Sequence, residues 1–254
     1  MLCQTVRDAG ELARKLSTQS VDHWKKTDGT PISNADLKVN DLLKARLTGG
    51  RPDYGWLSEE TRDDPVRLSR RRVWVVDPID GTKAYLKGDP HWTVSAALVQ
   101  DGRPIAGAVY NPMTGEFFEA VLGHGARLND TFIQVTRRTE LAGARMIMHR
   151  SVLASDRWMD PWPDFTMEMR NSMAYRLCLV ASGSFDGTVV LSKKSEWDLA
   201  AADLVVHEAG GTVSAHDGER FTYNRADSEL PNVLAAGPGL YDGLLARTKR
   251  RRVA

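Results

Sequence analysis

Cysteine is scarce in this 254-residue sequence: Cys3 and Cys178 are the only two, too few for the disulfide framework of a secreted scaffold. Cys178 sits among Leu177, Leu179 and Val180 and reads as core. No apolar run approaches the ~18 residues a membrane span needs. Met1 to Ser20 lacks the continuous apolar stretch of a signal peptide, so a cytoplasmic location without membrane contact is expected. Neither sign of charge dominates: 34 Lys and Arg against 33 Asp and Glu leave a net charge of +1. A nucleic-acid polymer is therefore not the expected partner, because phosphate contacts call for a basic surplus. The terminal basic run, Lys249-Arg250-Arg251-Arg252, reads as a solvated, frayed C-terminus. The histidines show no zinc-like clustering.

What is present is the composition of a globular chain, 42% hydrophobic and 26% charged. Its length suits one domain over 1–254, or two intimately packed halves, 1–140 and 141–254. Helical spacing runs from Val6 to Leu16, and again from Asp36 to Leu47 before Gly49-Gly50. Lys25 to Asp36 between them reads as a loop. Val73 to Val76 is a buried strand that Asp77-Pro78 should stop. Thr93–Val99 and Ile105–Tyr110 flank Asp101-Gly102 as a hairpin, and Glu116–Val121 extends the meander. Residues 145–170 read as an irregular surface segment. Helical spacing returns over Ala174–Ser182 and Asp198–Glu208, each ended by glycine. Helices and antiparallel meanders in blocks predict a layered α/β architecture rather than a βαβ series.

Three acidic features stand out. In Asp77-Pro78-Ile79-Asp80-Gly81-Thr82, a buried strand delivers Asp77 to a sheet's end, Pro78 stiffens the turn, and Asp80 returns toward Asp77. Gly81 permits close backbone approach, and Thr82 opens a helix whose free N–H groups face the same corner. Two carboxylates there repel unless a cation intervenes, and a hard divalent ion with oxygen ligands resolves the conflict. Glu59-Glu60, after Trp56-Leu57, and Trp197-Asp198, at a helix start, offer further acids. Each has a bland reading alone: a terminated strand, a solvated face, a helix cap.

Together, Asp77 to Thr82, Trp197-Asp198-Leu199-Ala200-Ala201 and Glu208-Ala209-Gly210-Gly211 resemble the two signatures of the inositol monophosphatase superfamily. The resemblance extends to Lys26…Pro31-Ile32-Ser33-Asn34-Ala35-Asp36, Ser58-Glu59-Glu60 and Gly125-Ala126-Arg127-Leu128-Asn129, in family order. It implies an αβαβα sandwich, a Mg²⁺-dependent phosphomonoesterase and a homodimer. By motif, Glu59, Asp77 and the Ile79 carbonyl would hold a first Mg²⁺, and Asp77, Asp80 and Asp198 a second. A third ion can sit near the glutamate, and Li⁺ would inhibit. Gly81 and Thr82 would bind phosphate beside Asp80. Asp36 and Thr82 would orient and deprotonate the attacking water, with Lys26 near that pair.

The shared metal core leaves the substrate, a small phosphate ester, open among several kinds. Lys26-Thr27-Asp28, Leu57-Ser58-Glu59-Glu60 and Gly81-Thr82-Lys83 are similar to the 3′(2′),5′-bisphosphate nucleotidase branch. Inositol-specific members carry a glutamate where this chain has Val189-Val190-Leu191. A bisphosphate nucleotide is the expected substrate. Inositol 1-phosphate is the alternative, followed by histidinol phosphate and fructose 1,6-bisphosphate. A catalytically silent binding protein is the competing class.

Overall fold

The computed structural model describes residues 1–19, 21–27, 29–154 and 158–250. Helix α1 (Leu2–Ser17) buries Val6, Ala9 and Ala13 at helical spacing. A hairpin of β1 (His23–Lys25) and β2 (Pro31–Ser33) leads to α2 (Asn34–Gly50). Strands β3 (Gly55–Ser58) and β4 (Arg72–Asp80) then flank a 3₁₀ turn, and α3 (Thr82–Lys87) follows β4. The meander β5 (Thr93–Gln100), β6 (Arg103–Asn111), β7 (Glu116–Val121), β8 (Ala126–Leu128) and β9 (Thr131–Phe132) completes a seven-stranded sheet in sequence order.

A second sheet is built from β10 (Arg145–Ile147), β11 (Thr166–Glu168), β12 (Gly187–Val190), β14 (Thr212–Ser214) and β16 (Val233–Ala236), in the order β11-β10-β12-β16-β14. Between these strands come α4 (Met173–Ala181), α5 (Glu196–Glu208) and the short pair β13 (Lys194–Ser195) and β15 (Glu229–Leu230); α6 (Pro238–Lys249) closes the chain.

Period-two alternation sorts the core into layers. On one face of the first sheet, Trp74, Val76, Val94 and Ala108 pack against α1 and α2. On the other, Val73, Val75, Ala97 and Val109 meet α4 and α5, which also cover Ile147, Val190 and Val233 of the second sheet. The outer face of that sheet, with Met146, Val189 and Leu234, takes Leu240 and Leu244 of α6. The order is αβαβα. Helix α5 lies so close to β6 that a Cβ on Gly107 would come within 2.8 Å of the Ala201 carbonyl oxygen. No helix among the described residues is long and apolar enough to cross a membrane.

Several expectations need correction. The segment read as a loop before α2 contains the hairpin, with Trp24 opposite Ile32; Asp28 lies outside the described residues. Asp77-Pro78 does not stop β4. The ladder with β5 skips from Asp77↔Ser95 to Asp80↔Thr93, so Pro78 falls in a bulge where no amide donor is needed. Within 145–170, β10 and β11 form a parallel edge pair too short to show periodicity; 155–157 lie outside the described residues. Of the terminal basic run, exposed Lys249 ends α6 and exposed Arg250 pairs with Asp160 at 3.0 Å, so these two are ordered at the surface rather than frayed; Arg251 and Arg252 lie outside the described residues.

One carboxylate in this scaffold yields a pH prediction. Asp203 on α5 accepts a hydrogen bond from the Tyr223 hydroxyl at 2.6 Å, and burial pushes its carboxyl up to about 6 against the opposing pull of that bond and Arg220. A native value above the unfolded one means the folded state binds the extra proton. The associated stability is complete near pH 4 and lost as pH rises through 6. Asp203→Asn, neutral at every pH, should raise Tm at pH 8 by about 2–4 °C for each kcal/mol recovered and leave it nearly unchanged at pH 4. Thermal melts at the two pH values check this.

Candidate metal and phosphate site

Asp77, Asp80 and Asp198 converge, with one oxygen from each within 4.8 Å of the others. Three local devices place them. The Asp77 Oδ1 accepts from the Ile79 N–H at 3.0 Å across the Pro78 bulge. The Asp80 Oδ2 accepts from the Ser172 hydroxyl at 2.7 Å and the Ala174 N–H at 2.6 Å, at the start of α4. The Asp198 Oδ2 accepts from the Ser195 N–H at 2.9 Å, closing the capping box of α5. Asp77 and Asp198 are thus each anchored through one oxygen, and Asp80 is held by several donors at the start of α4.

The electrostatics are those of an anion-rich pocket. Burial raises Asp77 well above the ordinary carboxylate range, and Glu59, Asp80 and Asp198 push it further. Burial and Asp80 bring Asp198 to about 7 despite Lys194. Asp80 is also raised by burial, opposed by its donors on α4 and by Arg176. Three converging carboxylates, Asp77 and Asp80 buried and Asp198 half-buried, are a donor set for a hard divalent cation. The residues fit Mg²⁺.

The other expected residues divide. Asp36, buried on α2, accepts at Oδ2 from the Ser33 N–H (2.8 Å) and hydroxyl (2.5 Å), and at Oδ1 from the Thr82 hydroxyl (3.2 Å). That hydroxyl also lies 3.1 Å from the Ile79 carbonyl. Gly81, at φ 100°, turns β4 into α3, where backbone N–H groups have no partner within the helix. A Cβ there would sit 3.2 Å from both the His91 carbonyl oxygen and the Ser172 nitrogen, which reserves the position for glycine.

Glu59 is not brought into the three-carboxylate group, although it is the strongest charge acting on Asp77. Its Oε1 accepts from Lys26 Nζ at 2.8 Å, and Glu60 accepts from the same ammonium at 2.7 Å. Lys26 therefore bonds to the acidic loop rather than to Asp36 or Thr82. Burial works against its charge, yet the two glutamates hold it above the ordinary lysine value. Glu60 itself is pushed up to about 7 by burial and Glu59.

Sequence reasoning missed Ser172, Arg176 and Lys194, and it singled out Glu60 beside Glu59 without giving it a role of its own. Ser172 was legible only as a helix cap before an apolar run. Arg176 sits inside an apolar helical stripe, where burial lowers its guanidinium while Asp80 and Asp198 favour its charge. Beside it opens a cavity of 290 Å³, also lined by Lys194, His149, Ser192 and Leu191, with no acidic residue among the described residues of its wall.

The family model described as the inositol monophosphatase family matches residues 1–253. The chain is 35% identical over 224 residues to an inositol-1-monophosphatase of Mesorhizobium japonicum, covering 84% of this chain and 80% of that protein. It is 30% identical over 246 residues to the 3′(2′),5′-bisphosphate nucleotidase CysQ of Aggregatibacter actinomycetemcomitans, covering 91% and 89%. The crystal structure of extragenic suppressor protein suhB from Bartonella henselae superposes with a TM-score of 0.84 at 27% identity, covering 97% and 96%. The chain belongs to the inositol monophosphatase family. It is a Mg²⁺-dependent phosphatase with the fold of that family.

Proposed function

We propose that the protein hydrolyses the 3′-phosphate of a 3′(2′),5′-bisphosphate nucleotide, converting 3′-phosphoadenosine 5′-phosphate to AMP. One observation carries this choice within the family: the cavity beside the carboxylates is basic. Arg176 and Lys194 line it and both act on Asp198, so a leaving group carrying its own phosphate gains charge-assisted contacts there. A polyol leaving group finds Leu191 and Val190 in the same wall and, among the described residues lining it, no carboxylate to accept its hydroxyls. The relative named CysQ supports the same reading.

In this reading Asp77, Asp80 and Asp198 hold Mg²⁺, with Glu59 and the Ile79 carbonyl completing the set. Bound Mg²⁺ supplies charge neutralisation on the phosphoryl oxygens and a more acidic water. The chain's own groups do the rest. The N–H groups of Gly81 and Thr82 bind phosphate oxygens at the start of α3. The single hydroxyl proton of Thr82, donated to Asp36, leaves the oxygen's lone pairs to accept from the attacking water, and Asp36 draws the proton onward. Lys26 holds the Glu59 arm in place. Two to three Mg²⁺ ions, inhibition by Li⁺, a cytoplasmic location, one domain over the whole chain and a homodimer follow from the family resemblance and belong to the same proposal.

The test is turnover of 3′-phosphoadenosine 5′-phosphate, inositol 1-phosphate, fructose 1,6-bisphosphate and histidinol phosphate, each with Mg²⁺. The expected kcat/KM favours the nucleotide over inositol 1-phosphate by about tenfold or more, the worth of one charge-assisted contact. Preference for inositol 1-phosphate would transfer the assignment to the activity named for the Mesorhizobium relative.

A further inference from the structure

The three carboxylates come from two distant parts of the chain. Asp77 and Asp80 sit on β4, which is hydrogen-bonded to β3 and so to the Glu59 arm. Asp198 sits on α5, more than a hundred residues later. Packing of α5 on the sheet is apolar, through Leu199, Ala202 and Val205 among others, and apolar contact is non-directional. Something directional has to fix the first turn of α5 against the strands.

A buried arginine spans that gap. Arg67 follows the Glu59 loop, its side chain is 1% exposed, and its Cβ lies against Gly55 of β3. Its Nε and Nη2 donate to the two oxygens of Asp63 at 2.6 and 2.9 Å. Across the gap, Nη1 donates to the Asn224 side-chain oxygen at 2.8 Å and Nη2 to the Arg225 carbonyl at 2.9 Å. Asn224 answers by donating its Nδ2 to the Arg67 carbonyl at 3.2 Å. The backbone N–H groups of Asn224 and Arg225 then donate to the fully buried carboxylate of Glu196, at 2.6 and 2.8 Å. Glu196 is the first residue of α5, and its own N–H donates to the Ser228 carbonyl. A connected set of hydrogen bonds thus runs from Arg67, in the 3₁₀ turn packed against Gly55 of β3, to the residue two places before Asp198.

A buried guanidinium is costly to desolvate, and an apolar side chain could fill the same volume. The fork geometry instead directs four N–H groups at fixed targets on both arms. We propose that Arg67, through Asn224 and Glu196, is a positioning residue that sets Asp198 in register with Asp77 and Asp80, so that the pre-formed spacing of the metal site depends on it. This rests on those carboxylates holding the metal.

The test uses Mn²⁺ as a paramagnetic stand-in for Mg²⁺, with free ion read by electron paramagnetic resonance on the intact chain. Asn224→Gly removes only the side-chain link, since glycine accepts the φ of 60° found there. Arg67→Lys keeps the charge and loses the fork. Both should weaken Mn²⁺ binding and raise the Mg²⁺ concentration for half-maximal activity by about tenfold, the low end for loss of a group supporting a metal ligand. Leu244→Ala, in the outer core against α6, is the stability control. At a comparable fall in Tm it should bind Mn²⁺ like the parent.

Parent-like Mn²⁺ affinity in both Arg67→Lys and Asn224→Gly would overturn the proposal. Equal weakening in Leu244→Ala would overturn it too, by making the effect one of general stability. A parent protein that binds no Mn²⁺ would instead overturn the metal-centre reading beneath it. Loss of binding in Asp198→Asn, with the graded weakening above, supports both.

Discussion

Asp77→Asn and Asp198→Asn are each expected to abolish Mg²⁺-dependent phosphate release while leaving the fold intact. The loss should be on the order of 10³-fold or more, since a metal's stabilisation of developing phosphoryl charge is worth several kcal/mol and each 1.4 kcal/mol is tenfold in rate. The fold survives because each carboxylate is anchored through one oxygen that an asparagine carbonyl can replace: Oδ1 toward the Ile79 N–H for Asp77, and Oδ2 toward the Ser195 N–H for Asp198. The oxygen that changes character is the free one aimed into the cluster. Metal-free stability should move the opposite way. Asp77 is buried among Glu59, Asp80 and Asp198, and removing one of several crowded like charges relieves repulsion that no protein cation neutralises fully. The metal-free variants should therefore melt above the parent at pH 8, and added Mg²⁺ should raise the parent's Tm more than theirs. Phosphate release against Mg²⁺ concentration and paired melts read both effects. Unchanged turnover in either variant would remove that residue from the metal site.

This opposition of function and stability is also why the site was legible before the fold was. An Asp-Pro-Ile-Asp-Gly-Thr run makes little sense as packing, so its acids declare themselves by pattern. The hairpin at Asp101-Gly102 was equally plain, because both residues take positive φ in a turn that matches strand twist. Other features were hidden for physical reasons. Pro78 reads as a strand stop until the partner strand is seen to skip a register there. Strands β10 and β11 have three residues each, too few for a period to show. Helix α6 begins on Pro238 and contains Gly239 and Gly243, so it forms by packing Leu240 and Leu244 on the second sheet rather than by propensity. Ser172 caps α4, and its hydroxyl also serves Asp80. A single side chain satisfying local structure and the site together leaves no separate mark in sequence. Lys26 illustrates the converse: the motif put it near Asp36 and Thr82, whereas its partners are Glu59 and Glu60, and these depend on a fold that brings residues 33 and 34 positions apart into contact.

Thr82→Val should lower kcat by about 10²–10³-fold, within the range for losing general-base assistance, with Mg²⁺ half-activation changed little. The substitution keeps the β-branched shape at the start of α3 and deletes one hydroxyl. That hydroxyl has a single proton and two acceptors in reach, the Asp36 carboxylate at 3.2 Å and the Ile79 carbonyl at 3.1 Å. Donation to Asp36 turns its lone pairs outward as an acceptor for water; without it, Asp36 is too engaged to serve alone. Both Asp36 oxygens already accept, from Ser33 on one side and Thr82 on the other, and burial raises its carboxyl above the ordinary range, which suits a proton acceptor at the end of a relay. Asp36→Asn cannot isolate this role, because Asp36 also closes the capping box of α2 with Ser33 and its loss would cost stability as well as rate. Thr82→Val separates the two. Ser33 and Asp36 keep their mutual bonds, so Tm should shift little while kcat falls, and Thr82→Ser, which restores a hydroxyl, should recover most of the rate. A valine variant with parent kcat would show that the water is oriented by other groups and would leave Thr82 only its backbone N–H at the phosphate.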